Sequence, residues 1–337
     1  MLVHADELSI DQISSTCNLF NTTFSHANPL RFSIFRYPEE WIEKYISPVK
    51  SGDFEDVVVS LIFKDQDVVA STILTIKKVV ISGEEHLAGF IDDVAVHPKY
   101  QGRGLGKKVF RGADEALREH DAFFSMLFTT HGGIAHRMYE KFGYKDAIFL
   151  RVVFRVVNRR DFARLISRRI FKLIPYFLPK KKVPECSGIT FLKNDSATNM
   201  LNKIGLEMNL YSRISPKRLK RAQIVAYKND TAGIGSIRLF ANTYGSKFRI
   251  GIVSNIVTKN IDSLTCVVSA ITKKLEENGV IGILSNAMEG TMLRIFKKAG
   301  YHAVPRRVSG MVKPIKHHIK LRTEIAFLPT EHIIGEW

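Results

Sequence analysis

Residues 94–106 read VAVHPKYQGRGLG, an apolar run that ends at a proline and is followed by a glycine-rich loop. Proline at position 98 cannot donate to a strand ladder, so a strand is predicted to end there. Gly102, Gly104 and Gly106 then lead into a helical pattern. Because a glycine loop at a helix N-terminus presents unpaired N–H groups and a partial positive charge, it can bind a phosphate. The stretch predicts a strand, an anion-binding loop and a helix in succession.

The chain before this loop carries the signals of two helices and three strands. Apolar residues recur at helical spacing from Leu8 to Phe24, and Pro38 followed by two acids predicts a second helix start. Asp56–Phe63 and Val68–Ile76 are β-rich and a polar turn separates them, which predicts a hairpin. A third strand is predicted over Leu87–Val96.

The chain after the loop predicts helix, strand, helix and strand over Leu105–His120, Phe123–Thr129, Ile134–Lys141 and Phe149–Val157. Gly143 lies where a left-handed residue would end the second helix. The residues predicted to face the core from the first helix are Val109, Ala113, Ala116 and Leu117.

A basic segment follows, with ten basic residues and one acid, Asp161, between positions 155 and 182. It predicts a helix that Pro175, Pro179 and Pro184 end, and whose inner face is Phe162, Leu165, Ile166, Ile170 and Leu173. An ordinary surface helix with solvated cations and a helix resting on an anionic membrane are both open interpretations. This segment is the predicted boundary, which divides the chain into domains at 1–158 and 189–337 with a linker at 159–188.

The second half repeats the order of the first, which indicates an internal duplication. Its predicted elements are strands at Arg221–Tyr227, Gly233–Phe240, Phe248–Val257 and Val280–Leu284, and helices at Asp262–Asn278 and Glu289–Lys298. The sequence RMYEKFGY at 137–144 matches RIFKKAGY at 294–301 in pattern. Phe296 stands where the first half has Tyr139, and no glycine loop follows Val257.

Composition places the protein among folded globular chains of about two domains. Of its 337 residues, 45% are apolar and 25% are charged. No apolar run of about 18 residues is present and the N-terminus is acidic rather than signal-like, so we expect no transmembrane segment and a cytoplasmic location. Cys17, Cys186 and Cys266 are far apart, and we expect them to be reduced and mostly buried.

Charge is divided unequally along the chain. Residues 1–150 hold 16 Lys and Arg against 21 Asp and Glu, a net charge of −5, whereas residues 151–337 hold 34 against 12, a net charge of +22. Such a basic half would attract RNA, anionic lipid or acidic protein. A basic surface without a specific partner explains the same numbers.

Residues 94–106 resemble the acetyl-CoA loop of the GNAT superfamily of N-acetyltransferases, and residues 137–144 resemble that family's second motif at the usual distance. The resemblance covers roughly residues 55 to 157. It implies an α/β (α+β) fold with a mixed, mostly antiparallel GNAT-type sheet flanked by helices, here duplicated as a tandem pair. It also implies acetyl-CoA as co-substrate.

The resemblance further implies which residues contact the cofactor. The strand residues that would pair with the pantetheine arm are Val94, Ala95 and Val96. The loop residues that would hold the pyrophosphate are Gln101, Gly102, Arg103, Gly104, Leu105, Gly106 and Lys107. The residues after the next strand that would contact adenine or pantetheine are Thr130, His131 and Ala135. For His131, a loop or helix-capping role is the alternative.

Direct attack on a thioester requires an amine without its proton, although alkylammonium groups have a pKa of about 10.4. The resemblance implies Tyr139 as the acid that protonates the leaving thiolate, with packing against the cofactor as the alternative. The family's usual carboxylate position is Phe90 here. Since side chains alternate along a strand, Asp92 shares the face of Phe90 and Asp93 should point to the other side. Asp92 is the first candidate for the base and Asp93 the second, and both could instead be structural or bind a cationic substrate.

The predicted function is therefore transfer of an acetyl group from acetyl-CoA to a primary amine by direct attack in a ternary complex. Because the second half has Phe296 in place of Tyr139 and no glycine loop, it is predicted to be catalytically silent and to shape or recruit the acceptor. The eleven histidines are scattered in sequence, so no metal site is predicted. An RNA-associated modifier or binding module that uses the basic second half is the alternative. The acceptor amine, the acyl chain length and the oligomeric state stay open.

Overall fold

Within the part of the chain that the structure describes, one continuous sheet contains thirteen strands, which come from both halves. The computed structural model describes residues 1–27, 30, 32–81, 84–205 and 224–316. The strands are β1 (Leu2–His4), β2 (Phe32–Ile34), β3 (Asp56–Lys64), β4 (Asp67–Ile81), β5 (Glu84–Val96), β6 (Phe124–Thr130), β7 (Lys145–Val156), β8 (Thr190–Phe191), β9 (Ile224–Lys228), β10 (Thr231–Asn242), β11 (Lys247–Thr258), β12 (Gly282–Met288) and β13 (His302–Pro314).

Helices lie on both faces of this sheet. They are α1 (Ile10–Ala27), α2 (Pro38–Trp41), α3 (Ser47–Lys50), α4 (Leu105–Glu119), α5 (Ile134–Lys141), α6 (Arg159–Leu165), α7 (Ile174–Phe177), α8 (Asn194–Gly205), α9 (Ile261–Glu277) and α10 (Thr291–Lys298). A π-helical turn, Ile42–Ile46, joins α2 to α3. None of the described helices is long and apolar enough to cross a membrane.

The order of the sheet is β1-β3-β4-β5-β6-β13-β7-β12-β11-β10-β9-β8, and β2 pairs with β10. The β5–β6 and β11–β12 pairs are parallel, and the other described pairs are antiparallel. Strands β3–β7 and β9–β13 correspond, as do α4 with α9 and α5 with α10. The predicted mixed, mostly antiparallel and duplicated sheet is confirmed.

The two halves exchange their last strands. β13, from the second half, lies between β6 and β7 and pairs with both. β7, from the first half, pairs with β12 from Gly282↔Val156 to Met288↔Leu150. Each half therefore covers an edge of its sheet with a strand that the other half supplies.

Alternating side chains of the strands build two cores in the first half. Val59 packs with α1–α3, whereas its neighbour Val58 packs with α4 and α5 on the opposite face. The four α4 residues predicted to face inward are all buried. We call these two sides the α1 face and the α4 face.

The end of α5 is repeated at the end of α10. Gly143 and Gly300 both have a φ of 89°, and each is followed by a buried tyrosine. Tyr144 donates a hydrogen bond to Ser125, and the hydroxyl of Tyr301 is 2.7 Å from that of Thr272. The duplication thus extends to the turn after the helix.

The prediction of a single helix in the basic segment, with an inner face from Phe162 to Leu173, is wrong. Asn158 caps α6, which ends at Leu165, and α7 begins at Ile174 with Pro175 in its first turn. The break is tertiary in origin, because Ser167 donates its backbone N–H to Leu30 and its Oγ accepts from Thr243. Of the predicted inner face, Phe162, Leu165 and Ile166 are buried, but Ile170 is 79% exposed and Leu173 59%.

The cysteine prediction is wrong for two of the three residues. Cys186, after the basic segment, forms a disulfide with Cys266 on α9, with their Cα atoms 5.4 Å apart. Cys17 is a free, buried thiol, as expected. The first three residues of the strand predicted at Arg221–Tyr227 lie outside the described residues.

Because the two halves exchange strands, we predict that neither half folds alone. A fragment experiment tests this dependence and bears on the predicted division into domains. Under reducing conditions, a fragment of residues 1–188 should lack a cooperative thermal transition, because β6 and β7 lose β13. Adding residues 189–337 should restore one complex with a single transition, measured by calorimetry. Cooperative unfolding of the isolated 1–188 fragment would contradict this dependence.

Candidate active site between two splayed strands

Strands β5 and β6 separate at the end that leads to the glycine loop. Their parallel pairing covers Ala88–Ile91 opposite Phe124–Leu127. Beyond these residues, the described strands continue to Val96 and Thr130 without pairing to each other, while β5 stays paired with β4 up to Val96. A wedge-shaped opening therefore lies in the sheet, and the backbone of Val94–Val96 forms one of its edges.

A β-bulge bends β5 at the start of this opening. The register with β4 shifts between Ser71 and Ile73, and Asp93 in the bulge has a φ of 48°. Because a bulge inserts one extra residue into one strand, it bends that strand and increases its twist. The bend turns β5 away from the direction of β6.

The carboxylate of Asp93 is held by two partners. Arg36 donates from Nη2 to Oδ1 at 2.8 Å, and the Tyr45 hydroxyl donates to Oδ2 at 3.2 Å. Burial raises the pKa of Asp93, but the charges of Arg36 and Lys44 and the two hydrogen bonds outweigh it, so this pKa lies below its ordinary value. Asp93 is thus an ionised, fully engaged carboxylate.

The prediction that Asp92 and Asp93 face opposite sides of the sheet is wrong. Tyr45 contacts Asp93 and belongs to the core on the α1 face. Burial and the charges of both Asp93 and Asp92 raise the pKa of Tyr45. The bulge interrupts the alternation and brings both carboxylates to the α1 face.

Asp92 is 5% exposed and pairs in register with Ile73. Beside it, β4 places Ser71, Thr75 and Lys77 on the α1 face. The Ser71 and Thr75 hydroxyls are buried and have no hydrogen-bond partner among the described residues. Lys77 is 1% exposed, with Nζ 4.3 Å from the centre of the Phe90 ring.

Lys77 was not recognised from the sequence. It lies in an apolar run, two residues after Thr75 and four after Ile73, both of which face the same side of the sheet. That period of two is the signal that could have found it. A buried polar wall next to Asp92 is the consequence.

Tyr139 lies on the α4 face, opposite to Asp92. It is 2% exposed and packs on Phe110 with ring centres 4.9 Å apart, in the same core as Ile91. Ile91 is the last residue of β5 that pairs with β6. The opening therefore has the candidate acid on one side of the sheet and the candidate base on the other.

The glycine loop closes the wide end of the opening. Gly102 and Gly104 have φ values of 79° and 78°, a region that glycine occupies without strain, and Gly104 is the N-cap of α4. The Gln101 side chain donates to the Val96 carbonyl at 3.1 Å. The first N–H groups of α4, from Leu105 on, have no acceptor within the helix. The loop thus presents exposed backbone amides and the positive end of the α4 helix dipole at the end of β5. Arg103 and Lys107 are exposed beside them.

The turn after β6 borders the opening from the other side. Thr130 ends β6, and the exposed His131 is tied to β13, since its N–H donates to the Arg307 carbonyl and its Nδ1 lies 2.9 Å from Ser309 Oγ. Ala135, in the first turn of α5, is half-buried. A strand of the second half thus positions a predicted cofactor residue of the first half.

Two of the histidines that are scattered in sequence meet here. His131, His136 and Asp146 each offer a ligand atom, and these atoms lie within 4.8 Å of one another. His136 Nε2 is 2.9 Å from Asp146 Oδ1. The group is close enough to hold a metal ion, and its internal hydrogen bonds also connect α5 to β7.

The second half keeps the opening but not its chemistry. β11 and β12 pair over Ile250–Ile252 and Gly282–Leu284 and then separate, and a bulge places Asn255 at a φ of 50°. Asn255 and Ser254 stand where the first half has Asp93 and Asp92. Two residues link β11 to α9, and the second, Asn260, caps that helix by accepting from Asp262. The buried Phe296 replaces Tyr139.

Comparisons with known proteins agree with this geometry. Residues 4–147 match a family model described as an acetyltransferase (GNAT) domain. A search of the curated proteins found no match. Saccharomyces cerevisiae N-myristoyltransferase with bound myristoyl-CoA is similar in structure, with 13% identity, a TM-score of 0.66, and 98% of this chain and 87% of that chain covered.

A GCN5-related N-acetyltransferase from Sphaerobacter thermophilus is also similar, with 14% identity and a TM-score of 0.57. The likeness covers 96% of this chain and 98% of that chain. At such identities it establishes the fold, which extends over both halves.

The ion pair at the bulge predicts a pH-dependent stability. Since the folded pKa of Asp93 is lowered, its contribution is fully present above the unfolded pKa of about 3.9 and is lost as the pH falls through the folded pKa. Asp93→Asn should lower the free energy of unfolding by about 3 kcal/mol at neutral pH, and this difference should shrink in acid.

Urea unfolding at several pH values measures this difference. Asp65→Asn is the matched control, because Asp65 is an exposed aspartate that also has a positive φ. A loss for Asp93→Asn that stays constant from neutral to acid pH would show that the ion pair is not its source.

Proposed function

We propose that this protein, whose residues 4–147 match the family model of an acetyltransferase (GNAT) domain, is an N-acetyltransferase that moves an acetyl group from acetyl-CoA to a primary amine by direct attack in a ternary complex. The observation that carries the proposal is the opening between β5 and β6, which ends at the glycine loop and the N-terminus of α4. A ligand with an extended arm that ends in phosphates fits this combination, because the free strand edge can pair with the arm and the anion site beyond it can bind the phosphates.

The residues that would hold acetyl-CoA follow from this arrangement. The backbone of Val94, Ala95 and Val96 would bind the pantetheine arm, and the amides from Gln101 to Gly106 the pyrophosphate. Arg103 and Lys107 add positive charge, and Thr130, His131 and Ala135 would line the other side. When bound, acetyl-CoA supplies an activated acetyl group and a thiolate leaving group.

Acid and base approach the reaction from opposite faces of the sheet. Asp92 accepts the proton that the acceptor ammonium must lose, the amine nitrogen forms a bond to the acetyl carbon, and the carbon–sulfur bond breaks. The Tyr139 hydroxyl protonates the departing sulfur. The nitrogen then gives up its second proton, which replaces the one that Tyr139 has lost, so the products are an amide and free CoA. Asp93 is a poor base, because its ion pair with Arg36 lowers its pKa.

The wall beside Asp92 favours a short acyl group. The buried hydroxyls of Ser71 and Thr75 and the buried Lys77 lie on the same face as Asp92. These polar side chains offer a long alkyl chain little apolar surface to pack against. Acetyl is therefore proposed here, although the similar yeast N-myristoyltransferase was solved with myristoyl-CoA.

We assign the second half a silent, structural part in this reaction. It has Ser254 and Phe296 in place of the candidate base and acid, and its strand-to-helix connection is too short for a phosphate loop. Its contribution to the site is β13, which holds His131 through Ser309.

The loop is tested by a charge at its N-cap. Gly104→Glu should weaken binding of CoA and acetyl-CoA by about a hundredfold, because like charges would meet at the pyrophosphate. Gly104→Gln carries nearly the same bulk and the same backbone strain without the charge, so it should retain much more affinity. Isothermal calorimetry measures both. No binding by the folded wild-type protein would remove the proposed function.

The catalytic pair is tested by pH–rate profiles of thiol release. Tyr139→Phe should lower kcat by about 10²- to 10⁴-fold with CoA affinity unchanged. The defect of Asp92→Asn should shrink as the pH approaches the pKa of the amine, because the acceptor is then already deprotonated. Tyr144→Phe, which removes another buried hydroxyl of the same core, is the control for packing. A pH-independent rise in KM for Asp92→Asn would assign Asp92 to binding instead.

A further inference from the structure

A cavity of about 500 Å³ lies away from the opening, where β7 leaves the sheet. Its cationic lining residues are Arg155, Arg159, Arg160, Lys180 and Lys181, and no acidic side chain of the described residues lines it. Strands β6 and β13 separate β7 from β5, and three strand spacings amount to about 14 Å. We call this the cationic cavity, and none of its residues belongs to the proposed acetyl-transfer site.

Arg155 at this cavity is built into the fold. It is 6% exposed, and it donates from Nε to Glu276 at 2.6 Å and from Nη1 to the Lys181 carbonyl at 2.9 Å. The negative charge of Glu276 is thus already paired with the buried guanidinium of Arg155. Arg160 and Lys180 form no ion pair within the part of the chain that the structure describes, so the cavity keeps an excess of positive charge.

His302, which also lines the cavity, reports the same field. Burial and the charges of Lys181 and Arg155 lower its pKa, against a hydrogen bond to the Pro179 carbonyl that raises it. A bound anion would offset this repulsion. The cavity therefore suits a ligand with negatively charged oxygens.

The chain that leads into the cavity lining at Pro175 and Tyr176 exposes large apolar side chains. Ile170, Leu173, Ile174, Tyr176 and Phe177 are 79%, 59%, 38%, 47% and 81% exposed. These five lie within eight consecutive residues. In α7, Ile174 and Phe177 are three residues apart and share a face, while Pro175 between them is buried.

Cations flank these apolar residues on both sides in sequence. Arg168, Arg169 and Lys172 lie before or among them, and residues 180–182 are all lysine. From position 162 to position 184 the chain contains no acid. Exposed apolar side chains bordered by Lys and Arg are the composition of segments that bind the interface of an anionic membrane.

We propose that residues 168–182 dock this protein on an anionic phospholipid surface, with the apolar side chains entering the lipid interface and the cationic cavity binding a phospholipid phosphate. Residues 175–181 contribute to the lining of the cavity, and the exposed apolar side chains lie in or directly before this stretch, which is why one occupant explains both. An RNA or a soluble phosphate would use the cations but leave Leu173 and Phe177 in water.

Vesicle flotation of the full chain tests the proposal. The wild-type protein should float with vesicles that contain phosphatidylglycerol and not with phosphatidylcholine alone. Leu173→Ser with Phe177→Ser should weaken binding about tenfold or more, and Arg160→Gln with Lys180→Gln about fivefold for each charge. All four side chains are exposed, so folding should be retained and is checked by circular dichroism.

Matched controls are exposed residues outside the segment. Tyr244→Ser removes a side chain that is 76% exposed, and Lys297→Gln with Lys298→Gln removes two exposed charges, and neither variant should change flotation. Flotation that survives the loss of Leu173 and Phe177 would indicate simple charge attraction and overturn the proposal, as would no flotation at all.

Two soluble probes distinguish other sources of phosphate. Inorganic pyrophosphate and polyuridylate are titrated into the wild-type protein and into the Arg160→Gln, Lys180→Gln variant. Binding of either probe that depends on these cations, in a protein that does not float with vesicles, would assign the cavity to a soluble phosphate or to RNA and overturn membrane docking.

Discussion

The exchange of the last strands between the two halves holds the whole sheet together. Without β13, β6 would present an unpaired edge in the middle of the sheet, and without β7 the same would hold for β12. Unpaired backbone groups in a buried sheet are costly, so the two halves stabilise each other through these pairings. A duplicated chain has thereby become one sheet.

This exchange gives the second half a part in the first half's site. His131 beside the opening is positioned by the Arg307 carbonyl and the Ser309 hydroxyl, both on β13. A half that lacks the glycine loop and the candidate acid is still required for the wall of the site. The second half can therefore lose its catalytic side chains and still keep β13, because strand pairing depends on the backbone whereas the reaction depends on side chains.

The bulge in β5 determines how the site is divided. It bends the strand, separates it from β6 and turns Asp93 toward Arg36 and Tyr45 on the α1 face. Asp92 and Tyr139 are then left on opposite sides of the opening. The second half keeps its bulge at Asn255 and the separation of its strands. In that half, however, the Asn260 side chain caps α9, so the N-terminus of this helix already has a hydrogen-bond acceptor from the chain itself.

The local elements could be predicted from the sequence: the β-hairpin, the glycine loop, α4 with its buried face, and the repeat that ends at Gly143 and Gly300. These depend on side-chain period and on glycine's freedom at positive φ, which are properties of near neighbours. The tertiary fold alone produced the strand exchange, the turn of Asp93, the burial of Lys77 and the meeting of His131 with His136 and Asp146. It also broke the basic helix, because Leu30 and Thr243 bond to Ser167. Each of these depends on partners far apart in the chain, and the pattern of near neighbours carries no record of which distant residue will supply a strand edge, a counter-charge or a hydrogen bond.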